Sequence, residues 1–139
     1  MPASRQVKPG QLVSSVWLYF NKAYWPVRNK GLSVKLGIVI YSSEPEVVWN
    51  AFRLGALALS CEDEVTVFLL AQGVEAESKD THEFNVTEKI VEFVDNGGRI
   101  LTCGTCLTLR NRQASEFCET ATMGTLYDLI KNSDRVISL

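Results

Sequence analysis

The stretch Val34–Glu46, VKLGIVIYSSEPE, decides the reading of the fold, because it sets a buried strand directly against a helix start. Val34–Ser42 is a β-branched apolar run without polar alternation, the pattern of a strand covered on both faces. Ser43, Glu44, Pro45 and Glu46 follow, with a serine to cap, a glutamate three residues later and a proline in the first turn. That combination predicts a helix start at Ser43.

Outward from this pair the alternation continues. The predicted helix EVVWNAFRLGALALSCE is apolar nearly all round, so it should lie against the sheet and a second surface. Glu64–Leu70 reads as a second strand, and Gly73–Phe84 as a polar loop. Asn85 with Glu88 caps another helix, whose apolar side carries Ile90, Val91, Phe93 and Val94 and which Asn96-Gly97-Gly98 terminates. RILTC, Arg99–Cys103, is a third strand. A helix near Met123–Asn132, with Met123, Leu126, Tyr127 and Ile130 at helical spacing, leads into RVISL. Strands alternating with helices predict an α/β fold: three layers, α/β/α, with a mainly parallel sheet of four to five strands. Four strands are evident, and a terminus or the loop has room for a fifth.

The totals agree with one such domain. The chain has 139 residues, 46% apolar and 22% charged, and a formal charge of -2. That is enough chain for a substantial core and no electrostatic footprint for nucleic acid. No apolar run approaches the roughly 18 residues of a membrane span. Leu12–Phe20 is apolar, but it holds two serines and lacks a small-residue cleavage site, so a cytoplasmic protein is expected. Residues 1–33 lack the alternation and concentrate Trp17, Tyr19, Phe20, Tyr24 and Trp25; they read as an aromatic-rich arm ahead of a domain at 34–139. Packing on its own domain or a neighbouring subunit is the plainer role for such an arm, and docking to a membrane surface or partner the sharper one.

The chemistry concentrates in Arg99–Arg112, RILTCGTCLTLRNR. In parallel α/β sheets, reactive groups gather at the carboxyl ends of the strands. Cys103 falls at such an end and Cys106 about one turn beyond. A thiol at a helix start meets unpaired backbone N–H groups and the positive end of the helix dipole, both of which favour thiolate. Arg99, Arg110 and Arg112 are near in sequence. Four readings stay open on spacing alone: a metal clip, a dithiol redox pair, packing residues, and a nucleophile that carries sulfur as a persulfide. Zinc needs four ligands from paired motifs, and Cys61, Cys118 and His82 stand at spacings that match no finger. His82, the one histidine, reads as a solvated loop residue or else as a proton shuttle. Cys61 reads as a packing residue, and Glu62–Glu64 as a solvated connection at the opposite end of the sheet.

The stretches KLGIVIYSSEPEVVWNAFRLGALALSCEDEVTVFLLAQGV, RILTCGTCLTLRN and SEFCETATMGTLYDLIKNSDRVISL together resemble the DsrE/DsrF-like family, relatives of the TusD sulfur-relay subunit. The most specific match is a cysteine ending a central strand with an arginine seven residues on, here Cys103 and Arg110. The C-G-T-C form, with Cys106, Cys118 and Met123, is similar to one branch. The resemblance implies a three-layer fold, assembly as a homotrimer or homohexamer, and persulfide exchange with a protein donor and acceptor. Cys103 would be the sulfur carrier, and Cys106 and Cys118 secondary thiols. Thiol exchange requires neither cofactor nor metal. A C-x-x-C thiol-disulfide oxidoreductase and a non-catalytic oligomeric binding module are the alternatives. Asn111 stands where the family has glycine, Glu119 where the branch has proline, and Gln72-Gly73-Val74 where the loop tends to read DGV. An asparagine would suit a left-handed backbone position at 111.

Overall fold

The computed structural model describes residues 32–139; apart from Leu32 and Ser33, the aromatic arm lies outside the described residues. Five strands form one all-parallel sheet: β1 (Lys35–Ile40), β2 (Glu64–Leu69), β3 (Arg99–Cys103), β4 (Glu119–Ala121) and β5 (Arg135–Ser138). Their spatial order is β4-β3-β2-β1-β5, so the chain steps outward from β1 to one edge and returns to its other side. The four evident strands are β1, β2, β3 and β5. The fifth, β4, lies neither at a terminus nor in the polar loop but ahead of the last helix; it is three residues long with only Ala121 buried, too short and too exposed to register as a strand in the sequence.

Helices cover both faces. α1 (Pro45–Ser60) and α2 (Val86–Asp95) pack on each other, and α4 (Met123–Asn132) follows β4. Successive residues of a strand face opposite ways. A side chain at Gly37 would meet Leu129 and Ser133 beyond α4, whereas Ile38 reaches toward Gly55 of α1. α4 and α1 therefore lie on opposite faces of β1. The core on the α1 side is aliphatic in the sheet (Ile38, Ile40, Val67, Leu69 and Ile100) and aromatic in the helices, where Phe52 stands edge-on to Phe93 at 5.5 Å. α1 does lie against both the sheet and α2, as its apolar circumference predicts. α4 differs from expectation: Leu126 is buried, but Met123, Tyr127 and Ile130 face outward.

The helix ends show which sequence signals hold. Asn85 caps α2 by accepting from the Glu88 N–H at 3.0 Å. Ser43 is not the cap of α1. Pro45 occupies the first helical position, for which its fixed φ is suited, and the extended Glu44 before it becomes the N-cap without a side-chain bond. Ser42 instead accepts from the Glu44 N–H at 3.0 Å. α2 ends at Gly97 with φ 93°, and its Gly97 and Gly98 N–H groups return to Val94 and Phe93. The short helix α3 (Gly104–Leu109) ends in the same two-bond pattern, with the Asn111 and Arg112 N–H groups returning to Thr108 and Leu107. Asn111 sits at φ 51°, the left-handed position for which glycine is the usual residue. A β-branched side chain is the poorest choice there. Asn111→Val is expected to destabilise the domain by about 1–2 kcal/mol, and Asn111→Gly to leave it nearly unchanged. Urea unfolding of the two variants side by side checks this; equal midpoints would remove the backbone argument.

Candidate functional site

The loop expected at Gly73–Phe84 is largely a 3₁₀-helix, Ala71–Ser78, with Gly73, Val74 and Ala76 buried. Composition hides it, since its outer positions are polar while its inner ones are small and pack at the carboxyl ends of the strands. Gly73 lies so close to β1 that a Cβ there would sit 2.0 Å from the Ile40 carbonyl oxygen. Polar ties from this helix run to the segment that carries the cysteines.

Cys103 is the last residue of β3, paired with Ala121 of β4, and only 4% exposed. It occupies the N-cap position of α3 but makes no side-chain capping bond, so its sulfur does not take up the helix's own N–H groups. The expectation of a helix start stabilising a Cys103 thiolate is corrected accordingly: α3 has six residues, and the backbone N–H that reaches a sulfur belongs to Ala71. It donates to Cys106 Sγ at 3.2 Å. Cys106 is half-buried in the first turn of α3, one turn from Cys103. Burial first, then the neighbouring Cys103 thiol, push the Cys106 thiol up, while the Ala71 N–H and the Arg110 guanidinium pull it back. All four cysteines of the chain are free thiols.

The three arginines separate. Arg99 forms a two-armed pair with Glu119 across β3 and β4, Nε to Oε1 at 2.8 Å and Nη2 to Oε2 at 2.6 Å. Glu119 thus closes a charge pair at the sheet edge. Arg112 donates to Ser78 Oγ at 3.0 Å. Arg110 alone reaches the C-x-x-C turn: it donates to the Cys106 carbonyl at 3.2 Å and to Glu75 Oε1 at 3.0 Å. Lys79, 3.1 Å from the same carboxylate, and then Arg110 hold Glu75 below its ordinary value. Glu75 fixes the arginine that adds positive charge near Cys106 (a residue that sequence reasoning missed, because nothing ties a polar surface position to a motif 35 residues on).

Cys118 belongs to a different cluster. Its Sγ donates to Glu77 Oε1 at 3.6 Å, and Ser115 donates to the same oxygen. Burial, then the Glu77 charge, push the Cys118 thiol up to about 12. Cys118 is therefore held as an S–H donor near neutral pH. A thiol raised by folding contributes stability that is complete below its ordinary value of 9.0 and is lost as pH rises toward about 12. The thermal midpoint should therefore fall over that interval, and Cys118→Ala should flatten the fall. A midpoint equally steep in the variant would assign the loss to other groups.

His82 is exposed, in a shallow depression with Glu44, Pro45 and Phe84 beside the start of α1, so it is a surface residue. Cys61 is half-buried at the C-cap of α1. The acidic run is at the far end of the sheet as expected, where Asp63 accepts from the Val34 N–H at 2.9 Å. No group of three or more His, Cys, Asp or Glu side chains among the described residues is arranged to hold a metal ion, and no helix there is long and apolar enough to cross a membrane.

Comparison with known proteins agrees with this architecture. Residues 35–139 match the DsrE/DsrF-like family. The chain is 30% identical over 108 residues to an uncharacterized protein of Methanopyrus kandleri, covering 71% of this chain and 89% of that one. It is also 30% identical over 99 residues to an uncharacterized protein of Methanocaldococcus jannaschii, covering 67% and 87%. Among solved structures, a conserved protein of unknown function from Bacteroides thetaiotaomicron superposes with a TM-score of 0.63 over 76% of this chain and 94% of its own. At 19% identity that likeness speaks to the fold alone.

Proposed function

Because this chain belongs to the DsrE/DsrF-like family over residues 35–139, we propose that it is a sulfur carrier that accepts sulfane sulfur on Cys103 as a persulfide and passes it on. The observation that supports this reading is the placing of two thiols one turn apart at the end of β3, with the Ala71 N–H on the Cys106 sulfur and Arg110 on the Cys106 carbonyl. Burial of Cys103 would keep a bound sulfane sulfur away from stray thiols in solvent. Arg110 supplies positive charge to anionic sulfur, and Cys118, fixed on Glu77, is a proton-holding neighbour rather than a second carrier. The C-G-T-C arrangement supports the branch with two thiols in one turn. Donor and acceptor would be protein thiols, and the exchange needs no cofactor or metal. The family domain is read as residues 34–139, with the aromatic arm before it.

A homotrimer or homohexamer is the expected assembly. The exposed stripe of Met123, Tyr127 and Ile130 on α4 supports it, since apolar residues one turn apart on an outer face are what an interface uses. A dithiol oxidoreductase is the second reading, favoured by Cys106 standing one turn from Cys103 at the start of α3.

Intact-mass analysis after brief exposure to a small-molecule persulfide donor separates the two. Carriage predicts a one-sulfur gain mapped to Cys103, kept in Cys106→Ser and abolished in Cys103→Ser. A Cys106→Ser chain that never gains sulfur would end the carrier reading, whatever the wild-type chain does.

A further inference from the structure

Cys103 and Cys106 stand one turn apart, at the N-cap and in the first turn of α3, and a backbone N–H sits 3.2 Å from the Cys106 sulfur. C-x-x-C spacing at the start of a helix places two thiols within bonding reach after small side-chain rotations. The Ala71 N–H donor comes from an element anchored independently of α3: the Gly73 N–H returns to the Leu70 carbonyl at 2.8 Å, and Leu70 in turn bonds Ile40 at 2.9 Å. Ala71 is held at φ 52°, a left-handed backbone that an alanine rarely adopts. A strained residue whose N–H faces a sulfur is the arrangement found where the backbone serves chemistry.

Resting on the carrier reading, we infer that Cys106 is a resolving thiol: it attacks the persulfide on Cys103 and releases the carried sulfur as hydrosulfide. The Cys106 sulfur bonds to Cys103 Sγ, the bond from Cys103 Sγ to the outer sulfur breaks, and the outer sulfur leaves with that electron pair. Cys106 is oxidised from thiol to disulfide, and the outer sulfur is reduced from persulfide to sulfide. The proton that Cys106 holds at rest goes to the leaving sulfur. Burial raises the Cys106 thiol, and the Ala71 N–H at 3.2 Å with the Arg110 charge offsets part of that cost in the anionic form that Cys106 must reach to attack. The product chain holds a Cys103–Cys106 disulfide, and an external dithiol reductant returns it to the starting state. The protein thus has a second exit for its sulfur besides transfer to an acceptor thiol: a reductive one whose products are sulfide and an oxidised pair.

The test is a single turnover of the full chain with cysteine persulfide and no acceptor protein. Sulfide is measured by a colorimetric assay and the chain by intact mass over time. The wild-type chain should first gain one sulfur and then lose it together with two hydrogens, releasing sulfide in step with a disulfide mapped to Cys103 and Cys106. Cys106→Ser should hold the added sulfur and release sulfide more than about tenfold more slowly, in keeping with loss of the attacking thiol. Cys106→Ala repeats the comparison without a hydroxyl in the half-buried site. A wild-type chain that keeps its added sulfur, or serine and alanine variants that release sulfide at the wild-type rate, would overturn the resolving role while leaving carriage intact. If neither variant gains sulfur, carriage fails first and the resolving step with it.

Discussion

Gly73→Ala should cost the domain about 2–4 kcal/mol and disturb both thiols of the C-x-x-C pair, although it adds one methyl group far from either in sequence. The added Cβ would lie 2.0 Å from the Ile40 oxygen and 2.8 Å from its carbon. Both belong to the backbone of a central strand, so no flexible side chain can turn aside. β1 is hydrogen-bonded to β2 and β5 and cannot recede. The Ala71–Ser78 helix must move instead. That motion breaks the Ala71 bond to Cys106 and strains the Glu75 bond to Arg110. Overpacking of this kind costs roughly 1–3 kcal/mol where side chains can adjust and more where backbone must. For a domain of about this length the thermal midpoint should fall by about 10 °C or more. Thiol labelling should show Cys106 reacting at a changed rate while Cys61, at the other end of the sheet, keeps its own. A midpoint within a degree or two of wild type would mean that the close approach of helix and strand carries no energy.

Phe93→Ala has the largest expected effect on stability alone. Its ring is fully buried, edge-on to Phe52, and slotted between two glycines. A Cβ on Gly55 would come within 2.8 Å of the ring, and one on Gly98 within 2.3 Å. Glycines have no side chain with which to fill the space, so the cavity should stay open. Removal of a buried phenylalanine then costs about 3–5 kcal/mol, near the upper end because relaxation is denied. Against a total of roughly 5–15 kcal/mol the variant would stand close to unfolding. Phe93 lies by the start of β3, away from Cys103 at its end. Sulfur loading of the folded fraction should therefore persist while the urea midpoint drops. A loss below about 1.5 kcal/mol would show that the core repacks around the gap.

Local chemistry made much of the fold legible. Lys35–Ile40 could be read because a parallel strand covered on both faces has to be continuously apolar, and the Asn85 cap because its bond is made within four residues. Asn111 could be placed at a left-handed position because few residues other than glycine accept one. Glu62, at φ 68° after α1, could not, since glutamate carries no such signal and only the returning N–H bonds of Glu62 and Asp63 disclose the turn. β4 escaped notice for a related reason: pairing with β3, not composition, makes Glu119–Ala121 a strand.

The candidate site was legible where its residues adjoin, at Cys103, Cys106 and Arg110. Glu75, Glu77 and Ala71 arrive from about 30–40 residues away through the packing of a helix whose small inward residues resemble any loop. No capping bond ties Cys103 to the helix start, and the N–H that meets a sulfur reaches Cys106 from elsewhere. A one-dimensional reading assigns electrostatics to neighbours in sequence; here the donor comes from just past the end of the adjoining strand, β2.

The Ala71 N–H bond to sulfur also makes one amide a reporter. A sulfur acceptor is a softer and longer partner than a carbonyl oxygen, so the proton on Ala71 should resonate and exchange differently from those of the neighbouring turn. Each chemical state of Cys106 (thiol, thiolate or disulfide) offers that proton a different partner. A single resolved amide signal would let the state of the pair be followed in solution without a label on either cysteine.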